Sequence, residues 1–192
     1  MRGLLIVFEG LDQSGKQTQA EWLRDRITAA GRAVRLLSFP DYDTVIGAEI
    51  GRALRGERPY GPDVMQLLYV ANRYERKHEI VAAKERGDVL ICDRYLASSV
   101  AYGEAQGLDA AWLLDIQKYL PQPDVTILLD IPPETSARRK SNNRDRYERD
   151  LALLARVRES YLRQAKGWAR IDADRDRNLV AADVYAAVAD RL

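Results

Sequence analysis

Residues Leu4 to Thr18 read LLIVFEGLDQSGKQT, and this stretch decides the fold. An apolar run typical of a buried strand breaks into Gly-x-x-x-x-Gly-Lys, and a helical pattern follows. Gly10 and Gly15 permit backbone conformations that side chains would forbid, so successive N–H groups can point at a phosphate while the following helix adds its positive end. Lys16 supplies a mobile cation for phosphate oxygens. The stretch predicts a loop that binds nucleotide phosphates.

This phosphate loop departs from the usual pattern at one position. The lysine is normally followed by Ser or Thr, whose hydroxyl ligates magnesium, but Gln17 stands there. The amide oxygen of Gln17 could offer a ligand, although its longer side chain need not reach the same point, so the metal would rest more on waters and phosphates. The hydroxyl of Thr18, one residue later, is available to donate a hydrogen bond to a phosphate. An accidental glycine-rich turn is the alternative, disfavoured because the pattern follows a strand and opens a helix.

Composition excludes several classes of protein. With 192 residues and 46% hydrophobic content, the chain can bury one core, and we expect a single domain over residues 1–192. Thirty basic and 29 acidic residues nearly cancel, which argues against nonspecific nucleic-acid binding. The first apolar segment is too short for a membrane span. We therefore expect no membrane partner. The single cysteine, Cys92, lies in an apolar run, which predicts a buried thiol and a cytoplasmic protein.

The apolar runs alternate with helical patterns. We predict strands at Leu4–Phe8, Ala33–Phe39, Val89–Cys92, Val125–Ile131 and Ala169–Asp172. We predict one helix that ends at Gly31 and others that begin after Thr44, at about Leu96, after Pro133 and at about Asn178. Further helices are predicted from Asp109 to Tyr119, through Leu151 to Leu162, and from Pro62 to Arg86, the last with Val64, Leu67, Leu68 and Ala71 buried. This alternation favours a three-layer α/β/α fold with a five-stranded parallel sheet.

The segment 138–149, RRKSNNRDRYER, interrupts this alternation. It is rich in arginine and contains no large aliphatic residue, which favours a small basic lid between two helices. A solvated run of charge is the alternative.

Polar residues follow two of the predicted strands. In open parallel sheets, ligands bind at the carboxyl ends of strands. Arg94 could hold an acceptor phosphate there with two hydrogen bonds, and Asp93 could organise magnesium or its waters; a local ion pair is the alternative. The turn 39–42, Phe-Pro-Asp-Tyr, follows the second strand, and its aromatic rings could line the same pocket.

Tyr69 and Arg73 stand four residues apart on the long predicted helix and therefore share one face. A flat ring beside a planar donor suits a nucleobase, by stacking and by hydrogen bonding. An ordinary surface contact is the alternative.

Taken in order, the motifs resemble those of the thymidylate kinase family, phosphate-loop enzymes that move the γ-phosphoryl group of ATP to dTMP. The resemblance spans nearly the whole chain, through FEGLDQSGKQTQ, FPDYDTVIG, LLYVANRYE, DRYLASSVAYG, LPQPDVTILLD, RDRYE and IDAD. Several ordered motifs are far more specific than any one of them.

The resemblance implies a dTMP site made of Asp12, Phe39, Tyr69, Arg73, Arg94, Ser99 and Tyr102. Asp12 matches the acid that accepts from the sugar 3′-hydroxyl, Tyr69 the ring that stacks on thymine, and Arg73 the donor to the base carbonyl. Arg94 matches the arginine that bridges the acceptor phosphate and the transferring group. Ser99 contacts the base and Tyr102 crowds the 2′ side, which would favour deoxyribose.

The resemblance also implies an ATP site and a catalytic set. The ATP site comprises Gly10, Gln13, Ser14, Gly15, Lys16, Gln17, Thr18, Arg139, Arg144 and Ala173, and the catalytic residues are Lys16, Asp93, Arg94 and Arg146. Arg139 matches the arginine placed against adenine, and Ala173 lies in the loop near that base. The cofactor would be Mg2+, held near Asp93 through water and, less directly, near Gln17.

Two further departures concern charge. Gln13 stands where some family members have an arginine, so the lid must supply that charge, and Tyr42 stands where some have an arginine for the acceptor phosphate. The family also implies a homodimer. Two other functions stay open: a kinase for another nucleotide or a deoxynucleoside, and a nucleotide-binding switch with little chemistry.

Overall fold

The computed structural model describes residues 3–139 and 151–192, and five strands of this part of the chain form one parallel sheet. The strands are β1 (Leu4–Glu9), β2 (Val34–Ser38), β3 (Val89–Asp93), β4 (Val125–Asp130) and β5 (Ala169–Asp172). Their order across the sheet is β2-β3-β1-β4-β5, with every neighbouring pair parallel. The predicted α/β class is confirmed.

Helices cover both faces of the sheet. They are α1 (Lys16–Ala29), α2 (Val45–Leu54), α3 (Pro62–Glu75), α4 (Lys77–Arg86), α5 (Leu96–Ala105), α6 (Ala110–Asp115), α7 (Pro133–Arg139), α8 (Leu151–Gln164) and α9 (Arg177–Ala186). Two of them, α2 and α6, begin at residues whose side chains cap the helix. Thr44 accepts a hydrogen bond from the Gly47 backbone amide, and Asp109 accepts one from that of Trp112. The helix expected from Asp109 to Tyr119 ends earlier, at Asp115.

The central strand is buried on both sides because its side chains alternate between two clusters of core residues. Leu4, Ile6 and Phe8 pack with residues of α1, α5 and α8, whereas Leu5 and Val7 pack with residues of α4. All six residues of β1 are buried. This explains why the strand reads as an unbroken apolar run rather than an alternating one. Cys92 in neighbouring β3 is buried as predicted, and burial raises the pKa of its thiol.

The prediction of one helix from Pro62 to Arg86 is wrong, because the helix is interrupted at Arg76, which separates α3 from α4. The backbone amide of Arg76 donates to the Arg73 carbonyl three residues back, which closes the first helix. Its guanidinium pairs with Asp41, 2.6 Å away. No proline or glycine marks this break, so the helical pattern continues across it in the sequence.

The predicted buried face of α3 is also wrong. Val64 and Leu67 are 38% and 48% exposed. The buried residues of this helix are Met65, Gln66, Val70, Asn72 and Arg73. These polar residues face inward because they find partners there. Asn72 hydrogen-bonds the backbone of the turn at 39–42, and Gln66 and Arg73 line a pocket. The part of the apolar stripe formed by Val64 and Leu67 therefore lies on the outer surface of α3, whereas Leu68 and Ala71 are half-buried.

Among the described residues, no helix combines the length and apolar character that crossing a bilayer requires.

Candidate active site

The phosphate loop occupies residues 10–15 between β1 and α1. Gly10 and Gly15 have φ angles of 140° and 92°, and Gln13 has φ 61°. A Cβ on Gly10 would lie 2.4 Å from the Leu129 carbonyl oxygen, so any side chain there would collide with backbone. The loop leads directly into the N-terminus of α1. Its backbone amides are therefore placed to bind an anion.

Lys16 is the cation of this loop. Its side chain is buried, and its Nζ donates to the Leu11 carbonyl oxygen at 2.8 Å. Burial, followed by the nearby charge of Arg94, lowers the pKa of Lys16 to about 8. The ammonium is therefore predominantly charged at neutral pH and can exchange its carbonyl partner for a phosphate oxygen.

Two residues bear on metal binding. Gln17 is exposed, and its Nε2 donates to Glu21 Oε1 at 3.0 Å, which turns the amide along the surface of α1. Asp93 lines the groove beside Lys16, and its buried Oδ1 has no hydrogen-bond partner in the part of the chain that the structure describes. A buried carboxylate oxygen without a partner fits a cation. Within the same residues, no cluster of three or more His, Cys, Asp or Glu could hold a metal, so substrate oxygens and waters would complete the coordination.

The seven residues predicted to bind dTMP line one cavity, here called the α3–α5 pocket. Its walls comprise Asp12, Phe39, Pro40, Tyr42, Leu54, Gln66, Tyr69, Arg73, Arg94, Ser98, Ser99, Tyr102 and Gln106. A second cavity, the phosphate groove, is lined by Asp12, Gln13, Gly15, Lys16, Gln17, Thr18, Ser38, Phe39, Pro40, Tyr42, Asp93 and Arg94. Asp12, Arg94 and the turn at 39–42 belong to both walls. The two cavities therefore adjoin, with Arg94 at their junction.

Arg94 and Asp12 form an ion pair at this junction. One Nη of Arg94 bonds Asp12 Oδ1, and the other donates to the Tyr161 hydroxyl at 3.1 Å. Burial raises the pKa of the Asp12 carboxyl, but the charges of Arg94 and Lys16 more than offset this and hold it at about 2. Asp12 is therefore an anion at neutral pH and can accept hydrogen bonds from a hydroxyl. The Tyr102 hydroxyl already lies 3.3 Å from its Oδ2.

Arg73 supplies the donors deeper in the α3–α5 pocket. It is 3% exposed, and its Nη1 donates to Ser99 Oγ at 2.7 Å. Its Nε is buried and has no hydrogen-bond partner among the described residues. Burial lowers the pKa of this guanidinium. A buried donor without a partner, with the ring of Tyr69 on the same wall, suits a flat ligand that carries carbonyl groups.

Arg139, at the end of α7, joins the phosphate loop to the loop after β5. Its guanidinium donates to the carbonyl oxygens of Gln13 and Ala173, each at 3.1 Å, and pairs with Asp174 at the same distance. The structure thus brings together three of the residues predicted to bind ATP. Arg144 and Arg146 lie outside the described residues, as does most of the predicted lid.

Sequence reasoning missed several residues of the site, namely Glu9, Gln66, Ser98 and Tyr161. Gln66 was overlooked because the apolar stripe of α3 predicted the opposite buried face. Ser98 and Tyr161 are 63 residues apart, and no local pattern joins them. Glu9 could have been found, because it ends an apolar strand immediately before the phosphate loop.

Comparisons with known proteins identify the family of this chain. A sequence model of the family described as "Thymidylate kinase" matches residues 8–184. The chain is 37% identical to the thymidylate kinase of Caenorhabditis elegans, over 96% of this chain and 89% of that protein. It is 40% identical to a probable thymidylate kinase of Pyrococcus abyssi, over 86% and 84%. Its structure is similar to that of thymidylate kinase from Candida albicans, a protein described as having broad substrate specificity, with a TM-score of 0.88, 30% identity, and coverage of 99% and 92%.

Proposed function

This chain belongs to the thymidylate kinase family, and on that premise we propose that it transfers the γ-phosphoryl group of ATP to dTMP, giving ADP and dTDP for dTTP synthesis. One observation carries the proposal: the phosphate groove and the α3–α5 pocket adjoin at Arg94. Such a pair of cavities suits two nucleotides whose phosphates must meet. A switch protein that only held a nucleotide would need the groove alone.

Phosphoryl transfer requires alignment and charge neutralisation more than covalent chemistry. Lys16 would neutralise the phosphates of the donor nucleotide, and Arg94, which borders both cavities, would hold donor and acceptor phosphates in line. A phosphate monoester is already an anion near neutral pH, so no general base is needed. The reaction therefore asks this chain to position two ligands and to exclude water.

The walls of the α3–α5 pocket support a deoxyribonucleoside monophosphate as acceptor. Tyr69 would stack on the base, Arg73 would donate to its carbonyl, and the Asp12 carboxylate would accept from the 3′-hydroxyl. Ser99 lies beside Arg73, and Tyr102 would crowd the 2′ side of the sugar. Phe39 completes the pocket next to the shared turn.

As a kinase of this family the protein uses a metal ion, and we propose that the ion is Mg2+. Asp93 would hold it through water, since its buried Oδ1 is without a partner among the described residues. The ion would neutralise phosphate charge. Gln17 would contribute an oxygen only by turning away from Glu21.

The nucleobase of ATP would lie against Arg139 and near the loop at Ala173, whose carbonyl oxygen accepts a hydrogen bond from that guanidinium at 3.1 Å. Gly10, Gln13, Ser14 and Gly15 of the phosphate loop, together with Thr18 of α1, would surround the phosphates. Arg144 and Arg146 are proposed lid arginines that add the charge missing at Gln13. The proposed location is the cytoplasm, which accords with the unpaired, buried Cys92.

We also propose a homodimer that buries the outer stripe of α3. Val64 and Leu67 stand three residues apart on that surface and are substantially exposed. Leu67→Glu should halve the mass measured by light scattering during gel filtration. Leu179→Glu, at an exposed leucine of α9, is the matched control and should leave the mass unchanged. A monomeric wild type would refute this assembly.

The deciding experiment measures ADP production from ATP and magnesium with dTMP, dUMP, dCMP, dGMP, UMP and thymidine as acceptors. We expect dTMP to give the highest kcat/KM. A higher value with another acceptor would indicate a different nucleotide or nucleoside kinase. Slow ADP release that no acceptor accelerates would indicate a nucleotide-binding switch.

A further inference from the structure

The guanidinium of Arg94 is held from two sides, and Tyr161, on one of them, lines neither cavity. On the pocket side, one Nη bonds Asp12 and lies 3.4 Å from the Tyr102 hydroxyl. On the other side, Nη1 donates to the Tyr161 hydroxyl at 3.1 Å and lies 3.3 Å from Ser98 Oγ. Tyr161 belongs to α8, far from Arg94 in the sequence, and none of the roles assigned above uses it.

Tyr161 is part of a buried polar group, here called the Glu9 cluster, made of Glu9, Ser98 and Tyr161. Ser98 Oγ donates to Glu9 Oε2 at 2.6 Å, and the Tyr161 hydroxyl lies 2.8 Å from Ser98 Oγ and 3.2 Å from Glu9 Oε2. The other oxygen of Glu9 accepts from the Tyr95 backbone amide at 2.9 Å. Glu9 and Tyr161 are 0% and 1% exposed. Water therefore does not compete for these hydrogen bonds.

The available hydrogens determine the direction of each bond in the Glu9 cluster. A carboxylate only accepts, and a hydroxyl has one hydrogen to donate. Ser98 gives its hydrogen to Glu9, so Tyr161 gives its own to Glu9 or to Ser98. In either case the Tyr161 oxygen is left to accept from Arg94. Burial raises the pKa of this phenol, so it keeps its proton at neutral pH.

We propose that Tyr161 is a positioning residue for phosphoryl transfer, whose hydroxyl connects the Glu9 carboxylate to Arg94 and thereby fixes the plane of its guanidinium. The inference rests on the proposed function of Arg94. A planar donor whose plane is set before the phosphates arrive does not have to reorganise during the transfer. Asp12 restrains one Nη of the Arg94 guanidinium, and the Glu9 cluster restrains the other.

The test removes the hydroxyl and keeps the ring. Tyr161→Phe should lower kcat with dTMP about tenfold, the effect of losing one hydrogen bond to a charged group, while KM for ATP and for dTMP changes less than threefold. Tyr74→Phe is the matched control, because its partly buried hydroxyl donates to the Ile116 carbonyl at 3.4 Å and Tyr74 lines neither cavity. This control should keep its kcat.

A double-mutant cycle separates positioning from a merely structural role. In an Arg94→Ala background, Tyr161→Phe should cause no further loss of kcat, because the hydroxyl acts only through that guanidinium. An equal loss in both backgrounds, or an unchanged kcat in the wild-type background, would overturn the proposal. Melting temperatures show whether each variant folds. Should Tyr161→Phe fail to fold, Glu9→Gln replaces it in the cycle, because it perturbs the Tyr161 hydroxyl through their hydrogen bond, and its kcat is judged by the same criteria. Wild-type protein inactive on dTMP would instead refute the proposed function.

Discussion

Replacing Arg73 by leucine should separate ligand binding from stability, because this arginine is arranged for a ligand rather than for the fold. Its guanidinium is buried, yet among the described residues it hydrogen-bonds only Ser99, and its Nε bonds nothing. Burying a charge without a bonded carboxylate is unfavourable, and apolar replacements at such positions are often neutral or stabilising. We expect the ligand-free Arg73→Leu variant to unfold with a free energy no more than about 1 kcal/mol below that of wild type.

The effect of Arg73→Leu on the affinity for dTMP should be large, in contrast to its small effect on stability. A hydrogen bond from a charged donor contributes about 1.5–3 kcal/mol, which corresponds to a 10- to 100-fold weaker Kd for dTMP. At a dTMP concentration of about 100 times the wild-type Kd, wild type gains about 2.7 kcal/mol of stability. The variant, then at only about 1 to 10 times its own Kd, should gain about 0.4–1.4 kcal/mol.

Urea unfolding with and without dTMP measures both quantities. Lys84→Leu is the matched control, because it removes a partly buried cation that pairs with Asp124 at 2.6 Å, and neither of these residues lines either cavity. It should cost stability and leave the dTMP-dependent gain unchanged. An Arg73→Leu variant that loses more than about 2 kcal/mol without ligand, yet is stabilised by dTMP as strongly as wild type, would refute the reasoning.

Other predictions concern the phosphates and the metal. Arg94→Ala should lower kcat more than about a hundredfold in a coupled ADP assay, and near-normal turnover would remove it from the catalytic set. Burial lowers the pKa of Lys16 to about 8, and a bound phosphate favours its charged form. ATP binding near pH 8 should therefore be accompanied by proton uptake, and it should weaken as the pH rises above 8. Calorimetry in buffers of different ionisation enthalpy measures the uptake, and an affinity that does not change with pH would contradict the prediction. Asp93→Asn should raise the Mg2+ concentration for half-maximal activity about tenfold, whereas an unchanged titration would exclude Asp93 from metal binding. Gln17→Thr should lower that concentration and Gln17→Ala should leave it within about threefold, since the Gln17 amide is turned toward Glu21; equal titrations for all three would show that position 17 does not contact the metal.

Local features of this protein could be predicted from its sequence because neighbouring residues produce them. Gly10 and Gly15 adopt the positive φ angles that their lack of a side chain permits, and Lys16 begins the helix that follows. The cap at Thr44 and the unbroken apolar strands likewise depend on short-range hydrogen bonding and on burial from both faces. The resemblance to a family then added the expected partners of these motifs, and the residues that it predicts to bind dTMP line one pocket.

Tertiary structure alone decided which way α3 faces and what stands behind Arg94. Leu67 is apolar and points outward, while Arg73 is charged and buried, because a ligand pocket reverses the usual preference of a helix for an apolar inner face. Tyr161 meets Glu9 across 152 residues of sequence, in a contact that depends on how α8 packs against α5. No periodicity encodes such a contact, since it is set by the packing of whole elements and not by the conformation of any one of them.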